Sequence, residues 1–135
     1  NPPYFDRATG TRARAEDRET ALGGQAGLDL WLSEAAKRLV PKGYLHVILR
    51  AERLPELLSH AVPRLGSLQL LPLIPRPGRD SQLILLRARK GGRTAFRLHA
   101  GLVMHEGTAH AGDREHYTAQ INAVLREAAA LPFPD

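Results

Sequence analysis

A helix, a three-residue turn and a buried strand follow one another between Gly27 and Arg50, and this run restricts the fold more than any other stretch. Leu28, Trp31, Leu32, Ala35 and Leu39 recur at i, i+3, i+4, i+7 and i+11, with Glu34, Lys37 and Arg38 on the other side. That spacing predicts an amphipathic helix over Gly27–Leu39, stopped by Pro41 and Gly43. Tyr44–Arg50 (YLHVILR) is aliphatic and β-branched and reads as a buried strand. A helix passed by a short turn into such a strand is half of a βαβ crossover. Its first strand then has to end near residue 1.

Downstream, Leu54, Leu57, Leu58 and Ala61 form the stripe of a short helix over Leu54–Val62, with Pro55 in its first turn and Pro63 as its limit. Leu68–Ile74 is strand-like, and Pro72 asks for an edge position or a bulge. The turn formers Pro75 to Asp80 lead to a strand over Gln82–Lys90, with Leu83, Leu85 and Ala88 on one face, closed by Gly91-Gly92. These two strands should pair as an antiparallel hairpin. Thr94–His99 and Leu102–Met104 are short extended pieces, and Thr118–Ala130 is a final helix with Ile121, Val124, Leu125 and Ala128 inward. The loop between His105 and His116 gathers His105, Glu106, His110, Asp113, Glu115 and His116. Its spacing fits no zinc pattern, so it reads as a polar surface loop and no metal is expected.

The 135 residues suit one domain with a core of its own, and no internal repeat is present. Nineteen Lys and Arg against 14 Asp and Glu give a net charge of +5, which suits a polyanionic partner such as RNA. Cysteine is absent, which excludes disulfides and thiolate metal sites and is compatible with a cytoplasmic location. No apolar run approaches a membrane span, so no membrane partner is expected. The first residues lack the basic-then-apolar pattern of a secretory leader.

The chain begins Asn1-Pro2-Pro3-Tyr4. Each proline fixes its own φ and stiffens the residue before it. The result presents one side-chain amide, bare carbonyls and a ring. The Asn1 side-chain oxygen and the Pro2 carbonyl can each accept one N–H of a planar amine, and Tyr4 can stack on the attached ring. Phe5 to Gln25 follows as a charged loop without helix or strand period, in which Arg7, Arg12 and Arg14 are candidates for phosphate contact.

Asn1-Pro2-Pro3-Tyr4 resembles motif IV of the S-adenosylmethionine-dependent amino-methyltransferases. The later residues resemble one branch, the tRNA methyltransferases that modify the exocyclic amine of an adenine beside the anticodon. The matching stretches are Trp31-Leu32, Pro41 to Leu45, Arg50 to Leu58, Leu65 to Ser67, Pro75 to Arg79, Leu85 to Gly92, His105 to Gly107 and Tyr117-Thr118. The resemblance implies an α/β fold: the C-terminal half of a Rossmann-like class I methyltransferase sheet, with one parallel strand, then an antiparallel hairpin, flanked by helices. It implies S-adenosyl-L-methionine as cofactor, contacted at Asn1, and Asn1, Pro2, Pro3 and Tyr4 as catalytic residues. Tyr4, Phe5, Arg7, Arg12 and Arg14 would meet a tRNA substrate. The family's glycine-rich cofactor loop has no counterpart, since no Gly-x-Gly-x-Gly occurs. This chain alone should therefore bind the cofactor weakly, as the C-terminal part of a single methyltransferase domain. The strand Tyr44–Arg50 would then pair with the upstream half of the same protein, or self-associate through its open edge. Glu19 to Asp29 also resembles the glutamine methyltransferases of peptide-release factors, an enzyme alternative. A basic RNA-binding module without chemistry is the alternative of another class.

Overall fold

The computed structural model describes residues 27–107, 116–131 and 133. Its described elements are helix α1 (Leu28–Arg38), strand β1 (Tyr44–Arg50), a 3-10 turn (Ala51–Arg53), helix α2 (Leu54–Ala61), strands β2 (Gly66–Ile74), β3 (Leu83–Arg89), β4 (Arg97–Leu98) and β5 (Leu102–Val103), and helix α3 (Ala119–Arg126). The helix–turn–strand run forms as its spacing predicts. Lys42 takes a left-handed φ of 66° between Pro41 and Gly43, and the turn is tied to the end of β3 by Lys42 N–H to Lys90 O and Lys90 N–H to Gly43 O.

The strand order is β1-β3-β2-β4, with β5 also beside β2. β3 is antiparallel to both neighbours, so β1 and β2 run parallel to each other with β3 between them. The β2–β3 hairpin is as expected, but it is only half of what β3 does. Its other side takes the whole of β1, from Tyr44 opposite Arg89 to Arg50 opposite Leu83.

Strand alternation sorts the two faces. Val47 and Leu49 of β1, Leu68 and Leu70 of β2, and Ile84, Leu86 and Ala88 of β3 are buried in one cluster with Leu28, Leu32 and Ala36 of α1 and Leu57 and Ala61 of α2. Two expectations are corrected here. Leu83 and Leu85 do not share the face of Ala88; they are half-buried on the opposite face, because residues an odd number apart point to opposite sides of a strand. On α1 it is Ala36, not Ala35, that reaches the core. β1 is also less buried than a continuous apolar run suggests: Tyr44, His46 and Arg50 are exposed while Val47 and Leu49 are fully covered.

Pro72 falls between the short parallel pairings of β2 with β4 (Gln69–Arg97, Leu70–Leu98) and with β5 (Leu73–Leu102, Ile74–Val103). A residue without an N–H is tolerated in such a gap. The bulge lies elsewhere, between Gly66 and Gln69, where Ser67 has φ +50°. There the chain crosses Gly92 so closely that a Cβ on Gly66 would sit 2.0 Å from the Gly92 carbonyl oxygen. The buried Ser67 hydroxyl accepts the Thr94 N–H at 3.1 Å and locks the crossing.

α3 ends sooner than its apolar pattern suggests. Thr118 caps it, with its hydroxyl accepting the Ile121 N–H, and Ile121 is the residue buried. Leu125 is 57% exposed and Ala128 lies beyond the last turn with φ +54°. The Ala129 N–H reaches back to the Ala123 carbonyl, a Schellman-type stop built without glycine.

Candidate functional site

In open α/β sheets ligands bind outside the carboxyl ends of the parallel strands. Here that edge is formed by Arg50 of β1 and Ile74 of β2, with the start of β3 at Leu83 between them. The 3-10 turn leaving β1 is held by Ala51 N–H on the Gln82 carbonyl at 2.9 Å. The Arg53 guanidinium then grips Glu56 through Nε to Oε2 and Nη2 to Oε1, both 3.0 Å. Between β2 and β3 the Ser81 hydroxyl lies 2.9 Å from the Leu73 carbonyl and 2.6 Å from the Leu83 carbonyl. This pins the hairpin loop that carries Arg76 and Arg79.

The same edge is closed by a knot of backbone and ring contacts. Met104 N–H donates to Ile74 O and His105 N–H to Pro75 O. His105 and Tyr117 form an antiparallel bridge with their rings stacked, 4.5 Å between centroids and 23° between planes. Arg76 Nη1 donates to the Glu106 carbonyl, and Thr118 N–H to Met104 O. The His105-Glu106-Gly107 and Tyr117-Thr118 stretches thus meet at one place although ten residues separate His105 from Tyr117's neighbour His116 and beyond. His105 Nδ1 is buried there with no hydrogen-bond partner among the described residues. Among the described residues no group of His, Asp or Glu is placed to hold a metal, and no helix is long and apolar enough to cross a membrane.

The sequence-derived catalytic residues Asn1, Pro2, Pro3 and Tyr4 lie outside the described residues, as do Phe5, Arg7, Arg12 and Arg14. What the structure places is the sheet edge that such residues would stand beside.

A second group was not foreseen. On the face away from α1 and α2, Tyr44 and His46 of β1 stand opposite Arg89 and Arg87 of β3. Arg87 lies 4.3 Å from the centre of the Tyr44 ring, and Arg89 lies 5.5 Å from it. Phe133 meets the His46 ring at 6.2 Å and the His99 ring at 5.4 Å, both edge-on. His99 Nε2 lies 3.1 Å from Gln69 Oε1. Desolvation, then the Arg87 charge, holds the His46 pKa below its ordinary value. The signal was present in the spacing: Tyr44 and His46, and Arg87 and Arg89, are each two apart and so share a strand face.

No protein-family profile matches the chain, and no curated protein matches it. Among solved structures it is similar to a protein from Agrobacterium tumefaciens, Atu636, described as a predicted O-methyltransferase. The two are 30% identical with a TM-score of 0.67, over 76% of this chain and 47% of that one. The chain therefore spans about half the length of that relative. Its fold is mixed α/β, that of half of a Rossmann-like methyltransferase sheet. The motifs that resembled the tRNA branch find no counterpart in these comparisons.

Proposed function

We propose that the protein is an S-adenosylmethionine-dependent methyltransferase, and that its substrate is the exocyclic amine of an adenine in tRNA. The observation that supports the first part is the reversed strand β3 set between parallel β1 and β2, together with the likeness to a methyltransferase over three quarters of the chain. The Asn1-Pro2-Pro3-Tyr4 sequence supports the amine, and the net charge of +5 supports RNA.

When bound, S-adenosylmethionine supplies the methyl group as an electrophile. The described residues include no Gly-x-Gly-x-Gly turn, so their part is scaffold rather than grip on the donor. β1 offers its free edge to the strand that ends at Asn1. The Asn1 side-chain oxygen and the Pro2 carbonyl accept the two amine hydrogens and aim the nitrogen lone pair outward. They stabilise the positive charge that develops on that nitrogen. Tyr4, with Phe5, stacks on a base splayed from an RNA loop. Alignment of the reactants supplies much of the rate.

The test incubates the full-length protein with radiolabelled S-adenosylmethionine and, separately, tRNA, ribosomal RNA and a release factor. Label in tRNA that Asn1→Ala lowers by ~10²–10³, about 2–4 kcal/mol of barrier, is the expected result. Label in the release factor would move the assignment to a side-chain amide. Wild-type turnover by Asn1→Ala would overturn the mechanism.

A further inference from the structure

One row of residues crosses the sheet on the face away from α1 and α2. His46 of β1 is opposite Arg87 of β3, Arg87 is opposite Gln69 of β2, and Gln69 is opposite Arg97 of β4. Arg89 and Tyr44 form the next row. The five described strands carry four arginines (Arg50, Arg87, Arg89, Arg97) and one histidine, and no carboxylate. The positive charge of this face is therefore not balanced within the sheet. The Arg87 guanidinium lies over Tyr44 and 5.4 Å from the Phe133 ring, and its Nε is buried without a hydrogen-bond partner among the described residues. Arg89 spends its Nε on the Lys42 carbonyl at 3.2 Å, which leaves its terminal nitrogens outward. Tyr44 is 41% exposed, so one side of its ring is open to solvent.

Cations alone would attract any anion. Arginines stacked with aromatic and imidazole rings on an open strand face fit something narrower. Single-stranded RNA offers a phosphate for a guanidinium and a flat base for a ring. Tyr44 stands at the start of β1, six residues from Arg50, about 20 Å at ~3.3 Å per residue. The face is thus remote from the carboxyl edge where a reacting base would sit.

We propose that Arg87, Arg89 and Tyr44 form a second RNA contact, holding a phosphodiester and an unpaired base of the substrate far from the reacting amine. This rests on RNA being the partner, as in the function proposed above. The site adds affinity and register rather than chemistry.

The test measures binding of a fluorescein-labelled anticodon stem–loop RNA to the full-length protein by anisotropy across a salt series. The variants are Arg87→Gln, Arg89→Gln and the double substitution. Arg89→Gln keeps the test valid should loss of the half-buried Arg87 disturb folding. For the double variant the affinity should fall about tenfold or more, and the salt slope by ~1.4, at ~0.7 per lost phosphate contact. The affinity for S-adenosylmethionine and the urea midpoint of Arg89→Gln should hold. Unchanged RNA affinity and slope would overturn the inference and indicate that another part of the protein covers the face. Displacement of the RNA by millimolar inorganic phosphate would overturn it too, since any phosphate would then serve. Failure of the functional proposal looks different. RNA held through Arg87 and Arg89 but never methylated would leave this site standing and remove tRNA as the substrate.

Discussion

At the scale of single residues, three positions carry strain or charge that can be measured. Ala128 holds φ +54°, a conformation that costs an alanine roughly 1 kcal/mol and a glycine almost nothing. Ala128→Gly should therefore stabilise the protein by about 0.5–1 kcal/mol, read from the urea midpoint. Gly92 shows the opposite case. A Cβ there would lie 2.4 Å from the Ser67 hydroxyl oxygen and 2.6 Å from the Gly66 carbonyl carbon, so backbone would have to move. Gly92→Ala should cost about 2 kcal/mol or more by the same measurement. His46 adds a pH dependence. Its pKa is held below the ordinary 6.5 by desolvation and by Arg87, so the folded chain binds this proton less readily than the unfolded one. Stability should be unaffected well above pH 6.5 and should fall as the pH drops through 6.5 toward the lowered value. His46→Gln should flatten that part of the curve, checked by urea midpoints at about pH 7.5 and about pH 5.5.

At the scale of elements, the two faces of β3 make contrasting predictions. Leu86 is fully buried against Val47 and Leu70 across the register, whereas Leu85 is half-buried on the other side. Leu86→Ala should cost about 2–5 kcal/mol of stability and Leu85→Ala clearly less, in parallel urea titrations. Most elements were legible because each is a local pattern. The stripe from Leu28 to Leu39, the proline and glycine around Lys42, and the alternation in β2 and β3 report on neighbours within a few residues. Two kinds of fact were not local. One was that β1 pairs with a strand some 33 residues downstream rather than with its sequence neighbour, which decides which of Leu85 and Leu86 is covered. The other was the end of α3: apolar Leu125 and Ala128 continue the helical spacing, but a reversal at Ala128 stops the helix first. The candidate site divides in the same way. Asn1 to Tyr4 is a contiguous signal, readable in order. The Tyr44, Arg87, Gln69 and His99 group exists only once three strands are laid side by side.

For the whole molecule the open edge of β1 sets behaviour in solution. Among the described residues, β1 is hydrogen-bonded along one side only, to β3. Unpaired edges of this kind recruit other strands. The isolated 135-residue chain should therefore associate with itself, with its mass rising with concentration in sedimentation. A monodisperse monomer would contradict this.

The place of β3 also has a consequence for biosynthesis. The central strand of the described sheet is later in the chain than both strands it joins. On a ribosome adding ~5–20 residues per second, Arg50 is made roughly 2–8 seconds before Arg89. Over that interval β1 and β2 are two parallel strands with a one-strand gap between them and no hydrogen bond to share. A nascent chain stalled at Asp80 should thus be cut by protease throughout, and one stalled well past Lys90 should resist. Quality control would meet this protein not as a growing sheet but as one that closes in a single late step, when its last long strand slides into the middle.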